Sequence, residues 1–261
     1  MTDSWQPEQY ARFQGPRTQP FRDLLAMVQR RPGMRVVDLG CGPGELTRAL
    51  HDQLGAAATL GLDSSPAMLE KARGQAADAL RFEQRVVEAF EGRGAWDLVF
   101  SNAALHWVDD HESLLPRLRD ALAPGGQLAV QMPCNDDHPS HRVAAAVAGE
   151  APFREALAGW TRRSPVLAPE AYAHLLHRIG LREQAVQLRV YGHELASREE
   201  VIEWVKGSLL TAYEARLAGL YPAFLRRYRE QLFPLLEEER PYFYTYPLVF
   251  LWAQKTKAGT P

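Results

Sequence analysis

The run Asp38-Leu39-Gly40-Cys41-Gly42-Pro43-Gly44 sets a carboxylate beside three glycines at alternate positions. The apolar pair Val36-Val37 precedes it, and a helix-forming stretch from Glu45 follows. Asp63 lies 19 residues beyond Gly44, at the close of a second apolar run, Thr59-Leu60-Gly61-Leu62. A glycine turn lets backbone approach a ligand where any Cβ would clash. An acid at the end of the next strand can accept hydrogen bonds from two ribose hydroxyls. Together these residues describe a nucleoside site at the carboxyl ends of parallel strands. The spacing is G-x-G-x-G, whereas a pyrophosphate cradle uses G-x-G-x-x-G. Pro43 removes one amide donor from such a cradle, and no Walker lysine follows. The turn therefore suits a nucleoside without a pyrophosphate.

The elements that must position these residues follow from periodicity. Residues 21–31 read as an amphipathic helix ended by Pro32-Gly33. Strands and helices then alternate: strand Arg35–Leu39, helix Glu45–Leu54, strand Thr59–Leu62, helix Pro66–Ala77, strand Leu80–Val87, strand Asp97–Ser101, helix Glu112–Leu122 and strand Gln127–Gln131. Ala123-Pro124-Gly125-Gly126 reads as a turn before the last of these. Such alternation implies right-handed crossovers and a parallel sheet covered on both faces. After Pro133 the pattern changes. Residues 134–178 and 197–239 read as helical, separated by a strand at Val186–Tyr191, and a final strand runs through Leu248–Ala253. Val201, Trp204, Val205, Ser208 and Leu209 share one helical face, as do Tyr221, Phe224, Leu225, Tyr228 and Leu232.

A chain of 261 residues can bury one sizeable core, or one core with a smaller subdomain. Net charge is −2 with no run of like charges, so nothing points to nucleic acid or a membrane surface. No apolar leader and no membrane-length apolar segment is read. Two cysteines, Cys41 and Cys134, are too few for a disulfide scaffold. A cytoplasmic location and a monomeric state are the expectations.

The string Asp38–Gly44 resembles the first motif of the class I S-adenosylmethionine-dependent methyltransferases, and Asp63-Ser64-Ser65-Pro66-Ala67-Met68-Leu69 is similar to their acidic-loop motif. The likeness extends along nearly the whole chain to the trans-aconitate 2-methyltransferase family. It is carried by Trp5, Pro7, Tyr10, Phe13, Arg17 and Pro20 at the entry, by Leu98–Trp107, by Ala129-Val130-Gln131-Met132-Pro133, by Val201–Val205, and by Tyr246–Phe250. The resemblance implies an α/β fold: a Rossmann-like, seven-stranded, mostly parallel sheet with helical cap insertions. Its last two strands would form a hairpin at one sheet edge, with the second helical block inserted between them. The implied organisation is an N-terminal lid over 1–31, a cofactor-binding core over 32–133, and a helical cap with the sheet-completing C-terminal strands over 134–261.

The implied cofactor is S-adenosyl-L-methionine, held by Asp38, Gly40, Gly42, Gly44, Asp63, Ser64, Met68, Val87 and Asn102. Asp63 would hold the ribose diol; its structural alternative is a cap for the helix beginning at Pro66, a role Ser64 or Ser65 could fill equally. Relatives place an acid against the adenine after the third strand. Here that register falls on Val86, with Glu88 two residues late, so the Val87 amide and apolar contact take its place. The implied acceptor is a small polycarboxylate, contacted by Tyr10, Arg17, Trp107, Tyr191, His193 and Trp204. Arginine meets a carboxylate through a bidentate fork. His106, where the family has glutamine, is the one general-base candidate, and no metal ligands are assigned. Three alternatives stay open: another acceptor, such as a phenol, an amine or a malonyl thioester; a cofactor-binding protein without catalysis; and a nicotinamide dehydrogenase.

Overall fold

The computed structural model describes residues 14–257. The apolar runs become strands, the central ones buried on both faces as parallel sheets require. They are β1 (Arg35–Leu39), β2 (Ala58–Asp63), β3 (Leu80–Gln84), β4 (Trp96–Asn102) and β5 (Leu122–Pro133), followed by β6 (Glu183–Leu195) and β7 (Tyr242–Gln254). They form one seven-stranded sheet in the order β3-β2-β1-β4-β5-β7-β6. β1 to β5 pair in parallel and β7 runs antiparallel to β5. The order reverses beside β1, the crevice where open α/β sheets bind ligands. The last two strands are neighbours with a helical block between them in sequence, as the resemblance implied.

Several boundaries depart from the sequence reading. The helix read over 21–31 runs over Gln14–Met27, with Pro20 inside it. β3 stops at Gln84, and Val87–Ala89 form a short 3-10 turn in place of strand. The helix after β2 ends at Ala72 and tightens into a 3-10 turn over Arg73–Gln75. Ala123–Gly126 is carried inside β5: Trp96 pairs with Leu122 and Leu98 with Gln127, so the extra residues bulge out. Gly125, at φ +75°, supplies the bend.

The chain divides into two compact units. One draws on the chain up to Pro133, on Pro165–Arg189 and on the chain from Leu248; the other is Cys134–Ser164 with Val190–Pro247. In the first, Phe21, Leu24, Leu25 and Val28 form the buried stripe of the Gln14–Met27 helix and the turn after it. Phe21 meets Phe100 of β4 edge-on, with ring centroids 5.8 Å apart. The second unit has an aromatic core. Phe224 stacks on Tyr213 at 5.0 Å and meets Phe153 edge-on at 5.4 Å, with Tyr228 and Leu232 buried along the same helix. Among the described residues no helix is long and apolar enough to cross a membrane.

Gln127 of β5 ties the segment just after the Gln14–Met27 helix to the sheet. Its Nε2 donates to the Gln29 carbonyl at 2.8 Å, while its Oε1 accepts from the Gln29 amide at 2.8 Å and from Trp252 Nε1 at 2.9 Å. The residue is fully buried. Gln127→Leu would strand three polar groups, each worth roughly 1–3 kcal/mol when left unsatisfied. The expected loss is therefore at least ~2 kcal/mol of unfolding free energy, checked by urea denaturation.

Candidate functional site

The glycine turn between β1 and the helix Glu45–Leu54 requires glycine on two separate grounds. Gly40, Gly42 and Gly44 all have positive φ, at +77°, +55° and +84°. A Cβ on Gly40 would lie 2.1 Å from Ala104 Cβ, and one on Gly44 would lie 2.9 Å from Phe82. A Cβ on Gly42 would meet nothing within 4 Å, so this part of the turn borders open space. The turn is held by the end of β2. The Leu62 carbonyl accepts from both the Gly40 and Cys41 amides, at 2.8 and 2.9 Å. Asp63 Oδ2 accepts from the Gly42 amide at 2.8 Å, and Oδ1 from the Ser65 amide at 2.9 Å. The helix cap is Ser65, whose hydroxyl accepts from the Met68 amide at 3.2 Å. Asp63 is thereby not the capping residue. Ser64 is exposed beside it and Met68 is buried.

Asp38, at 5% exposure, accepts a 2.6 Å hydrogen bond from Thr47 Oγ1. Burial pushes its pKa up from the usual 3.8 to about 7; the Thr47 bond opposes this and the Asp63 charge adds to it. Burial, reinforced by the Asp38 and Asp63 charges, also pushes the Cys41 thiol far up, so it stays protonated. Both effects have one source: two carboxylates and little water in one small volume.

A cavity of about 120 Å³ opens here, lined by Thr18, Phe21, Asp38, Gly40, Cys41, Pro43, Glu45, Leu46, Phe100 and Asn102. Asn102 Oδ1 is buried with no hydrogen-bond partner. An orphaned acceptor and a buried carboxylate facing one cavity suit a ligand that brings donors or positive charge. The next residue, Ala103, sits at φ +55°, a conformation alanine rarely adopts. His106 and Trp107 lie on a 3-10 turn, half-buried, with rings 4.9 Å apart; neither lines the cavity. His111 is locked in structure: Nε2 bonds the Leu105 carbonyl at 2.9 Å and Nδ1 bonds the Tyr172 hydroxyl. Val87 opens its 3-10 turn, where an amide has no partner from within the turn, and Val86 is 46% exposed.

Tyr10 lies outside the described residues, as does the side chain of Arg17. Tyr191, His193 and Trp204 all fall in the second unit. There His193 packs on Trp204 at 4.7 Å, and Trp204 meets Tyr246 at 5.6 Å and Tyr244 at 5.5 Å. Burial lowers the His193 pKa, which favours the neutral ring. Sequence reasoning missed Thr47, Phe21, Phe100 and Ala104 as parts of the site. Nothing in their local pattern marks them, because each is brought in by sheet register or helix packing.

Two outcomes follow for stability. Gly40→Ala combines a left-handed conformation costing roughly 1–2 kcal/mol with the Ala104 clash, so the melting temperature should fall clearly. For Asp38, the native state holds a proton that the unfolded chain releases. Its contribution to stability should therefore decline as pH rises from 3.8 to about 7. Asp38→Asn should remove that slope from a pH series of urea midpoints.

A family described as "Methyltransferase domain" matches residues 10–186. A trans-aconitate 2-methyltransferase of Deinococcus radiodurans is 47% identical over 247 residues, covering 92% of this chain and 94% of the relative. One from Variovorax paradoxus is 40% identical, covering 96% and 98%. The crystal structure of YcgJ from Bacillus subtilis matches in fold with a TM-score of 0.61 at 14% identity, over 92% of this chain and all of that one. The chain belongs to the trans-aconitate 2-methyltransferase family of S-adenosylmethionine-dependent methyltransferases.

Proposed function

We propose that this chain transfers the methyl group of S-adenosylmethionine to one carboxylate of trans-aconitate, forming a monomethyl ester. The observation that carries the acceptor is the reach of the similarity. Relatives named for trans-aconitate match over 94% and 98% of their own length, through both units of this chain. Methyltransferase relatedness alone would need only the glycine turn and Asp63.

The cofactor supplies a methyl on a positively charged sulfur. The chain's part is to hold and orient. Gly40, Gly42 and Gly44 let backbone pass close to the ligand, and Asp63, fixed by the Gly42 and Ser65 amides, accepts from the ribose hydroxyls. Asp38 and Asn102 serve the cofactor's amino-acid end, and Ser64, Met68 and the Val87 amide serve the nucleoside end. The residues proposed for the acceptor are Tyr10, Arg17 and Trp107, together with Tyr191, His193 and Trp204.

Among the described residues that line the cavity there is no histidine or lysine, which is compatible with this chemistry. A carboxylic acid with a pKa near ~4 is already ionised at neutral pH. Its oxygen is a nucleophile as it stands, so alignment in a dry pocket is what the protein must provide. Both cysteines are free thiols, which supports a reducing compartment such as the cytoplasm.

The decisive assay is methyl transfer from radiolabelled S-adenosylmethionine to trans-aconitate, with cis-aconitate, citrate and a malonyl thioester in parallel. Strong preference for trans-aconitate is expected. A preference for another acceptor, or none with S-adenosylhomocysteine still bound, would discard the acceptor. His106→Gln should keep turnover within about threefold, since no proton is abstracted. A collapse of turnover would instead indicate an acceptor that must lose a proton.

A further inference from the structure

Two glutamines on one face of β5 meet opposite fates. Side chains of Gln127, Ala129 and Gln131 alternate onto the same face. Gln127 is fully engaged in the three bonds described above. Gln131 is 2% exposed, yet its Oε1 is buried without a hydrogen-bond partner. Burying an amide oxygen with no partner is destabilising, and such a group in a folded protein calls for an explanation.

Its surroundings supply one. Gln131 pairs in register with Asn102 of β4, so the two side chains stand side by side on strands about 4.8 Å apart. Asn102 Oδ1 is likewise buried and unpartnered, and Asn102 lines the cavity with Asp38 and Gly40. The Gln131 carbonyl accepts the Ala103 amide at 2.9 Å, which helps hold the left-handed residue after Asn102. In the sheet order, Gln131 lies one strand further from β1 than Asn102 does. It therefore sits on the side of Asn102 away from the glycine turn and Asp63, where the nucleoside is held.

We infer that Gln131 is an acceptor-binding residue, its amide donating to a carboxylate of the substrate; this rests on the proposed function. A half-turn of the amide exchanges oxygen for NH2 in the same volume, so the orphaned position becomes a donor. A neutral donor against an ionised acceptor gives a charge-assisted hydrogen bond. It adds no fixed charge that would compete with the cofactor's cation. Among the described residues no group partners Gln131 Oε1, which leaves that position for the substrate.

The test is Gln131→Met, apolar and of similar volume. Loss of one hydrogen bond to a charged group should raise KM for trans-aconitate about ten- to hundredfold. The Kd for trans-aconitate, measured calorimetrically with S-adenosylhomocysteine present, should rise in parallel. The Kd for S-adenosylhomocysteine should stay the same, and the melting temperature should hold or increase. Gln131→Asn, which keeps the amide but withdraws it by one methylene, should give a smaller rise and serves if the Met variant fails to fold. Unchanged KM and Kd for trans-aconitate, or weakened S-adenosylhomocysteine binding in their place, would overturn the assignment. Absence of wild-type turnover with trans-aconitate would overturn both this inference and the acceptor reading. Wild-type turnover with an unaffected Gln131→Met variant would overturn this inference alone.

Discussion

The site depends on the Asp63 carboxylate at the end of β2. One of its oxygens takes the amide of Gly42 and the other the amide of Ser65. It thus joins the glycine turn after β1 to the start of the next helix. A carboxylate accepting backbone amides is a strong, orienting contact. With the Leu62 carbonyl, which takes two further amides from the same turn, it defines where the backbone must pass. Everything at the front of the sheet inherits that position. Ala104 can come as close as it does because position 40 has no Cβ. Asp38 is held near a second negative charge and out of water, which is why it takes up protons so readily.

The polar groups buried in the first unit sort by whether the protein satisfies them. Thr47, Ser101 and Gln127 each find a partner within the fold: Thr47 on Asp38, Ser101 on the Leu39 carbonyl at 2.8 Å, Gln127 on the Gln29 backbone and Trp252. These fix strands and helices to one another. The amide oxygens of Asn102 and Gln131 do not, and the two residues are register neighbours at the same ends of β4 and β5. Proteins leave few such groups, and those that persist tend to mark places where something else binds.

The second unit is organised differently. Its core is built from tyrosine and phenylalanine rings packed face to face and edge to face, an arrangement that adds to simple area burial. Burial keeps its histidines neutral: His138 is pushed down to about 4 and His141 to about 3. The aromatic group of His193, Trp204, Tyr244 and Tyr246 continues the same chemistry. Such a surface supplies shape and hydroxyl groups rather than charge that titrates near neutrality.

The sequence by itself determined the strand-turn-helix units, the parallel sheet and the glycine turn. Those features are written in local terms: apolar runs, glycines at positive φ, and an acid closing a strand. It also separated the late helices, whose apolar faces recur at helical spacing. It placed the end of β3 too late, because Arg85-Val86-Val87 has strand propensity but Val86 is exposed and a 3-10 turn begins at Val87. It left the capping residue undecided between Asp63, Ser64 and Ser65, which only the backbone geometry resolved in favour of Ser65. Only the tertiary structure decided which polar residues are satisfied. Gln127 and Gln131 are the same residue type on the same strand, and no local rule tells them apart. Their difference arises from partners 98 and 125 residues away in the chain for one, and from the lack of a partner for the other's side-chain oxygen among the described residues. Hydrogen-bond satisfaction is a property of three-dimensional neighbours, which strand register and helix packing create and sequence spacing does not encode.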